Sequence, residues 1–159
     1  MANRDEIFDH SPCPDNPGWH RWDLKDETIF NGAVMGKLIT RKETTNGKDY
    51  CRLRMFPERR HLNLQEVIHG AITQSLIDIS LFTAMHTLGS GNAGPSVTLE
   101  ISTQFIGAGK SDQPLDSVTE IMRETGKLVF VRGTVVQEDD TVAAFSGIVR
   151  KFTAARPQA

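Results

Sequence analysis

Cysteine, tyrosine and long apolar runs are scarce in this chain. Its 159 residues include two cysteines and one tyrosine. Cys13 lies in a proline-rich stretch and Cys51 in a strand-like run. Neither has metal-ligand spacing, and two cysteines are too few for a disulfide scaffold, so both read as free thiols of a reducing compartment. No stretch reaches the roughly 18 apolar residues that suggest a membrane-spanning helix. The opening MANRDEIFDH has no apolar segment of the kind that marks a secretory signal. A strong charge of one sign is also missing. A formal net charge of −2 gives no basic surface for nucleic acid and no polybasic patch for a membrane. No metal and no cofactor is expected, and a cytoplasmic protein is the default.

What is present is an ordinary globular composition of single-domain length. A chain of this size buries roughly 70% of its unfolded surface, so its core needs no disulfide. Residues 1–27 are polar and turn-rich, with Trp19 and Trp22 placed to pin them onto a core. From Ile29 to Lys42 an apolar run broken by Gly32 and Gly36 reads as one bent strand. Asn46-Gly47 is a hairpin signal, and Tyr50 to Phe56 alternates as a half-buried strand that Pro57 ends. Residues 57–67 form a polar connector. From about Ile68 to Leu88 the apolar positions cover nearly the whole circumference of a helix, which marks it as buried. Gly89, Gly91 and Gly94-Pro95 stop it.

Beyond the helix the period changes to two. Val97, Leu99, Ile101, Thr103 and Phe105 are expected on the buried face of a strand. Three more strands follow, over Leu115 to Arg123, Lys127 to Val136 and Val142 to Phe152, joined by short turns that imply antiparallel neighbours. The expected architecture is α+β, with one long central helix wrapped by a curved antiparallel sheet of about six strands. The expected organisation is an N-terminal extension over 1–27, one domain over 28–153 and a flexible tail over 154–159.

Asp78 stands out in the middle of the apolar helix. Carboxylates are almost never fully buried unless paired or functional. Either a buried arginine or backbone donors satisfy it, or it does chemistry. Ala71, Ser75, Asp78, Phe82 and Met85 share its helix face, with small residues before the acid and bulky ones after it. At the helix start the chain reads His61-Leu62-Asn63, then Leu64 to Ile68, then His69-Gly70-Ala71. Gly70 allows close approach to the backbone, and the free amides of a helix N-terminus suit a developing oxyanion.

The run HLNLQEVIHGAITQSLID, His61 to Asp78, resembles the signature of hotdog-fold thioesterases of the phenylacetate-degradation type. That pattern is H-x-N-x-x-G-x-x-H-G-G, followed seven residues later by a helical aspartate. The resemblance continues through GPSVTLEISTQFIGAGK to the last strand and leaves residues 1–27 outside it. It implies a hotdog fold and hydrolysis of an acyl-CoA thioester. By resemblance the Gly70 amide polarises the thioester carbonyl, with Asn63 as a second polar contact. Asp78 acts as general base or nucleophile, and Ser96 helps orient the attacking water. His69, Ala71 and Ser75 line the substrate pocket. The sequence departs from the pattern at three places. Glu66 replaces the glycine between Asn and His, Ala71 replaces the second glycine of His-Gly-Gly, and Ala108-Gly109 replaces a Pro-Ala pair.

Gly70 and Asp78 lie about 12 Å apart along one helix at 1.5 Å per residue. A base must come within about 3 Å of its proton, or reach it through one water. The two residues therefore serve one carbonyl only if helices of two subunits run antiparallel across a two-fold axis. A homodimer, or a dimer of dimers, is expected. Arg59, Arg60, Lys110 and Lys127 are candidates for the CoA phosphates. Two other functions remain open on this sequence: a non-catalytic acyl-CoA-binding protein and a hotdog hydratase or dehydratase.

Overall fold

The computed structural model describes residues 7–90 and 94–152. The expected tail over 154–159, and Gly91 among the helix-stopping glycines, lie outside the described residues. Three two-residue strands open the chain: β1 (Phe8–Asp9), β2 (His20–Arg21) and β3 (Asp23–Leu24). A π-helical turn (Asn31–Met35) leads into the hairpin of β4 (Leu38–Thr45) and β5 (Lys48–Met55). A 3-10 turn (Arg59–His61) precedes the single long helix α1 (Gly70–Leu88). The chain ends with β6 (Ser96–Phe105), β7 (Leu115–Glu124), β8 (Leu128–Gln137) and β9 (Asp140–Lys151).

The main sheet is antiparallel and has seven strands in the order β2-β4-β5-β7-β8-β9-β6. Helix α1 lies in its hollow, which is the hotdog arrangement. The six long strands are those the alternation implies. The seventh is β2, a short edge strand contributed by the N-terminal extension along β4. Asn46 and Gly47 both take positive φ, 53° and 74°, as a two-residue hairpin turn requires.

One expected strand is different. The run from Ile29 to Lys42 does not bend as a strand; residues 31–35 form a π-helical turn, and the strand begins at Leu38. Short apolar runs do not distinguish helix from strand by periodicity alone. Here a Cβ at position 32 would lie 2.5 Å from the Glu27 Cα, so Gly32 permits a close backbone crossing that a regular strand would not make.

The core is one cluster between α1 and the sheet. It includes Leu38, Leu53 and Met55 from the hairpin, Leu76, Ile77 and Leu81 from the helix, and Val129, Val135 and Val149 from the late strands. The two tryptophans fix the extension, as expected, but on opposite faces of the sheet. Trp22 turns inward and joins the main cluster. Its ring meets those of Phe8 at 5.1 Å and of His86, near the helix end, at 5.1 Å. Trp19 packs with Cys13 and Ile39 in a second cluster, and the guanidinium carbons of Arg41 and Arg54 lie 4.3 and 4.6 Å from its ring centre. Such stacking adds cation–π attraction to burial. Cys13 and Cys51 are free and buried, and burial pushes the Cys51 thiol up.

If Trp22 anchors the extension to the main core, Trp22→Ala destabilises the fold by about 3–5 kcal/mol, the usual range for a truncated core aromatic. Urea unfolding measures this, and a loss below 1 kcal/mol would show that the extension is only loosely seated.

Candidate active site

The sheet covers most of α1 but not all of it. Along the helix Ile72, Leu76, Ile77, Ile79, Leu81 and Ala84 are buried, whereas Ala71, Gln74, Ser75, Asp78 and Phe82 are not fully covered. These five fall within one stripe, because positions three and four apart share a helix face. Met85, expected on the same stripe, is buried, since the extension lies over this end of the helix. The open stripe therefore runs from the helix N-terminus to Asp78 and a turn beyond.

Asp78 is half-buried rather than sunk in the core. Its Oδ1 accepts a 2.7 Å hydrogen bond from the Thr98 hydroxyl on β6. Among the described residues no arginine or lysine forms an ion pair with it. The two arginines nearest to being buried, Arg52 and Arg54, pair instead with Asp116 on the outer face of the sheet. A neutral hydroxyl fixes one carboxylate oxygen and leaves the charge unneutralised.

Thr98 reaches Asp78 because β6 is bulged. Thr98 pairs with Val149 and Glu100 with Ile148, so Leu99 is an extra residue in the ladder. An inserted residue reverses which face the side chains take. Ser96 and Thr98 face inward before the bulge; Ile101 and Thr103 do so after it. The expectation that Val97, Leu99 and Phe105 are buried does not hold in this chain: they are 43, 54 and 58% exposed. Ser96 is half-buried two residues before Thr98, opposite Lys151. It is Thr98, absent from the expected site, that holds the carboxylate. Its only sequence signal is a hydroxyl on the strand after the aspartate helix.

The other end of the stripe is the helix N-terminus. His69 is the N-cap, and its Nδ1 accepts from the Ala71 N–H at 3.0 Å. The Ile72 and Thr73 amides bond to the His69 carbonyl. The first-turn amides of a helix lack intrahelical partners. That leaves the Gly70 N–H as the first-turn donor with no protein acceptor among the described residues. The Phe105 ring lies beside it, 3.6 Å from where a Gly70 Cβ would be.

Residues 62–68 form a tight loop in front of this turn, closed by a bridge between Leu62 and Ile68. The Asn63 side-chain oxygen accepts from the Gln65 and Val67 amides, so it shapes the loop and leaves its NH2 end for other contacts. Glu66 takes φ +60°, the left-handed conformation that glycine adopts freely. The loop geometry thus persists with glutamate there, and the Glu66 carboxylate meets Arg59 at 3.0 Å. An open cavity of about 650 Å³ is lined by Arg59, Leu62, Asn63, Leu64, Gln65, Glu66 and His69. Of the candidate phosphate contacts, Arg59 lines it. Arg60 bonds to the Ala33 carbonyl and Glu58, and Lys110 to Asp140.

Residues 65–144 match the family model of the thioesterase superfamily, just over half of the sequence. The chain belongs to that superfamily. A comparison with curated protein sequences finds no significant match. Solved structures share the fold of this superfamily member at low identity. The E. coli PaaI protein of the phenylacetic acid degradation operon has a TM-score of 0.59 and 19% identity, over 65% of this chain and 73% of that one. A conserved Pseudomonas aeruginosa protein has 0.64 and 22%, over 82% and 100%. Zebrafish thioesterase superfamily member 2 has 0.62 and 16%, over 76% and 86%. The hotdog fold is thereby shown for this superfamily chain. Among the described residues no helix is long and apolar enough to cross a membrane.

The site brings Asn63, His69 and Gly70 together at one end and places Asp78 with Thr98 at the other, with Ala71 and Ser75 between them. The left-handed backbone at Glu66 costs about 1–2 kcal/mol for a residue with a Cβ, and its exposed ion pair offsets little of that. Glu66→Gly is therefore expected to raise stability by about 0.5–1 kcal/mol after the entropy lost by glycine. Urea unfolding reads the change; destabilisation would show that the Arg59 contact outweighs the strain.

Proposed function

We propose that this protein hydrolyses an acyl-CoA thioester to a free carboxylic acid and CoA, in a homodimer or a dimer of dimers. The observation that carries this reading is the carboxylate of Asp78, held by the Thr98 hydroxyl, facing an uncovered helix stripe and lacking a cationic partner among the described residues. A carboxylate kept only for structure is expected to be neutralised.

In the proposed mechanism two α1 helices run antiparallel across a two-fold axis, with the Gly70 N–H of one subunit opposite Asp78 of the other. The thioester carbonyl lies between them. Gly70 donates to the carbonyl oxygen as negative charge develops there, helped by the positive end of the helix dipole. The Asn63 NH2 is the second donor. Asp78 either takes a proton from a water that adds to the carbonyl carbon or adds to that carbon itself. Thr98, with Ser96 beside it on the same strand face, fixes the carboxylate and the water. The carbon–sulfur bond then breaks, and the CoA thiolate leaves and is protonated. In the water route that proton is the one Asp78 took. In the direct route the acyl group stays on Asp78 as a mixed anhydride. A water then hydrolyses it, giving its hydroxyl to the acid and restoring the Asp78 carboxylate, while the proton it releases goes to the thiolate. Ala71 and Ser75 are small enough to leave room for the acyl group, and His69 and Arg59 line the outer cavity, where the phosphates of CoA approach.

Two further features support this assembly. The extension covers the start of the β4 edge, at Ile39 and Thr40, through β2, whereas β6 is an open edge carrying exposed Val97 and Leu99. Open apolar edges invite pairing with another strand.

Asp78→Asn keeps the shape and the Thr98 contact but removes the base. Loss of a general base typically costs about 10²–10⁴ in rate, so release of free thiol from a panel of acyl-CoAs should fall by that range while light scattering still gives the parent oligomer. Turnover near the parent rate in an intact oligomer would remove the mechanism.

A further inference from the structure

We propose that Gln137 is a positioning residue for the Gly70 amide. Gln137 closes β8, far in sequence from the helix, and its side chain is buried, with 2% of the residue exposed. Its Oε1 accepts from the Lys110 N–H at 2.6 Å. Its Nε2 donates to the Lys110 carbonyl at 2.8 Å and to the Gln113 carbonyl at 3.1 Å. A primary amide offers two N–H groups and one carbonyl, and here donors and acceptor alike are committed to one loop. The loop between β6 and β7 has no strand partner for these backbone groups, which must bond somewhere if buried.

The residue before Lys110 carries the effect to the helix. Gly109 is buried, and its carbonyl accepts from the Ile68 N–H at 2.8 Å. A Cβ on Gly109 would lie 3.0 Å from the Ile68 Cδ1 and 3.1 Å from its Cβ, so glycine permits this approach. The next amide, His69 N–H, donates to the His61 carbonyl at 2.8 Å. The backbone entering α1 is thus held by Gly109 and by His61 just before the Gly70 amide. His61 is itself fixed, with Nδ1 accepting from the Glu58 N–H and Nε2 bonded to the Val34 carbonyl. Gln137 fixes the Gly109 arm, and no other side chain bonds the Lys110 backbone among the described residues.

The catalytic consequence rests on the proposed thioesterase reading; the conformational one does not. A misplacement of about 1 Å in a catalytic group can cost on the order of 10² in rate. The test compares Gln137→Leu and the near-isosteric Gln137→Glu with Val135→Ala, a core truncation on the same strand. All are made in the full chain, with hydrolysis of the best acyl-CoA and the ¹H–¹⁵N resonance of Gly70 as readouts.

Both Gln137 variants are expected to displace the Gly70 resonance and to lower kcat about 10–100-fold, in line with partial loss of an oxyanion donor, with KM within threefold of the parent. Val135→Ala is expected to lose stability yet keep the Gly70 resonance and keep kcat within twofold. If Gln137→Leu does not fold, Gln137→Glu decides alone. An unmoved Gly70 resonance in a folded Gln137 variant, or an equal loss of kcat in Val135→Ala, overturns the proposal. Should the parent release thiol from no acyl-CoA, the thioesterase reading falls, and the Gly70 resonance by itself still decides the role of Gln137.

Discussion

A curved sheet can wrap one side of a helix but not both. Helix α1 is apolar around nearly its whole circumference, and the sheet covers the side that holds Leu76, Ile77, Leu81 and Ala84. The uncovered side needs another surface. The N-terminal extension supplies it at the C-terminal end, where Trp22 and His10 lie against His86. From Ala71 to Phe82 no segment of the described chain closes the stripe. The same stripe carries Asp78, so the incomplete burial and the proposed chemistry share one location.

The two edges of the sheet differ in the same way. On one edge β2 occupies the start of β4, at Ile39 and Thr40. The opposite edge, β6, stays open, and its bulge has two consequences. It turns Val97 and Leu99 outward and brings Thr98 inward onto Asp78. A single inserted residue therefore gives both an apolar outer edge and a hydrogen bond inside.

At the helix N-terminus, order comes from backbone groups more than from side-chain bulk. His69 caps Ala71, and the carbonyls of His61 and Gly109 hold the two residues before Gly70. The loop in front tolerates Glu66 at positive φ because its surrounding hydrogen bonds, through Asn63, fix the conformation. Backbone held in this sparsely populated region persists only where neighbours determine it.

The sequence by itself determined the long helix, the hairpin at Asn46-Gly47, the late antiparallel strands and the anomaly of Asp78, because each is a local pattern of period, turn chemistry or polarity. It also showed the His-Gly run at the helix start. Only the tertiary structure decided that residues 31–35 coil rather than extend, since that depends on the close crossing of Gly32 over Glu27. It likewise decided that Thr98 holds Asp78, because one extra residue at Leu99 reverses the side-chain faces and leaves no mark in an alternating sequence. The clamp from Gln137 to the loop before β7 was equally illegible. It joins residues separated in the chain by β7 and most of β8, and only the folded sheet brings their hydrogen-bonding groups within reach.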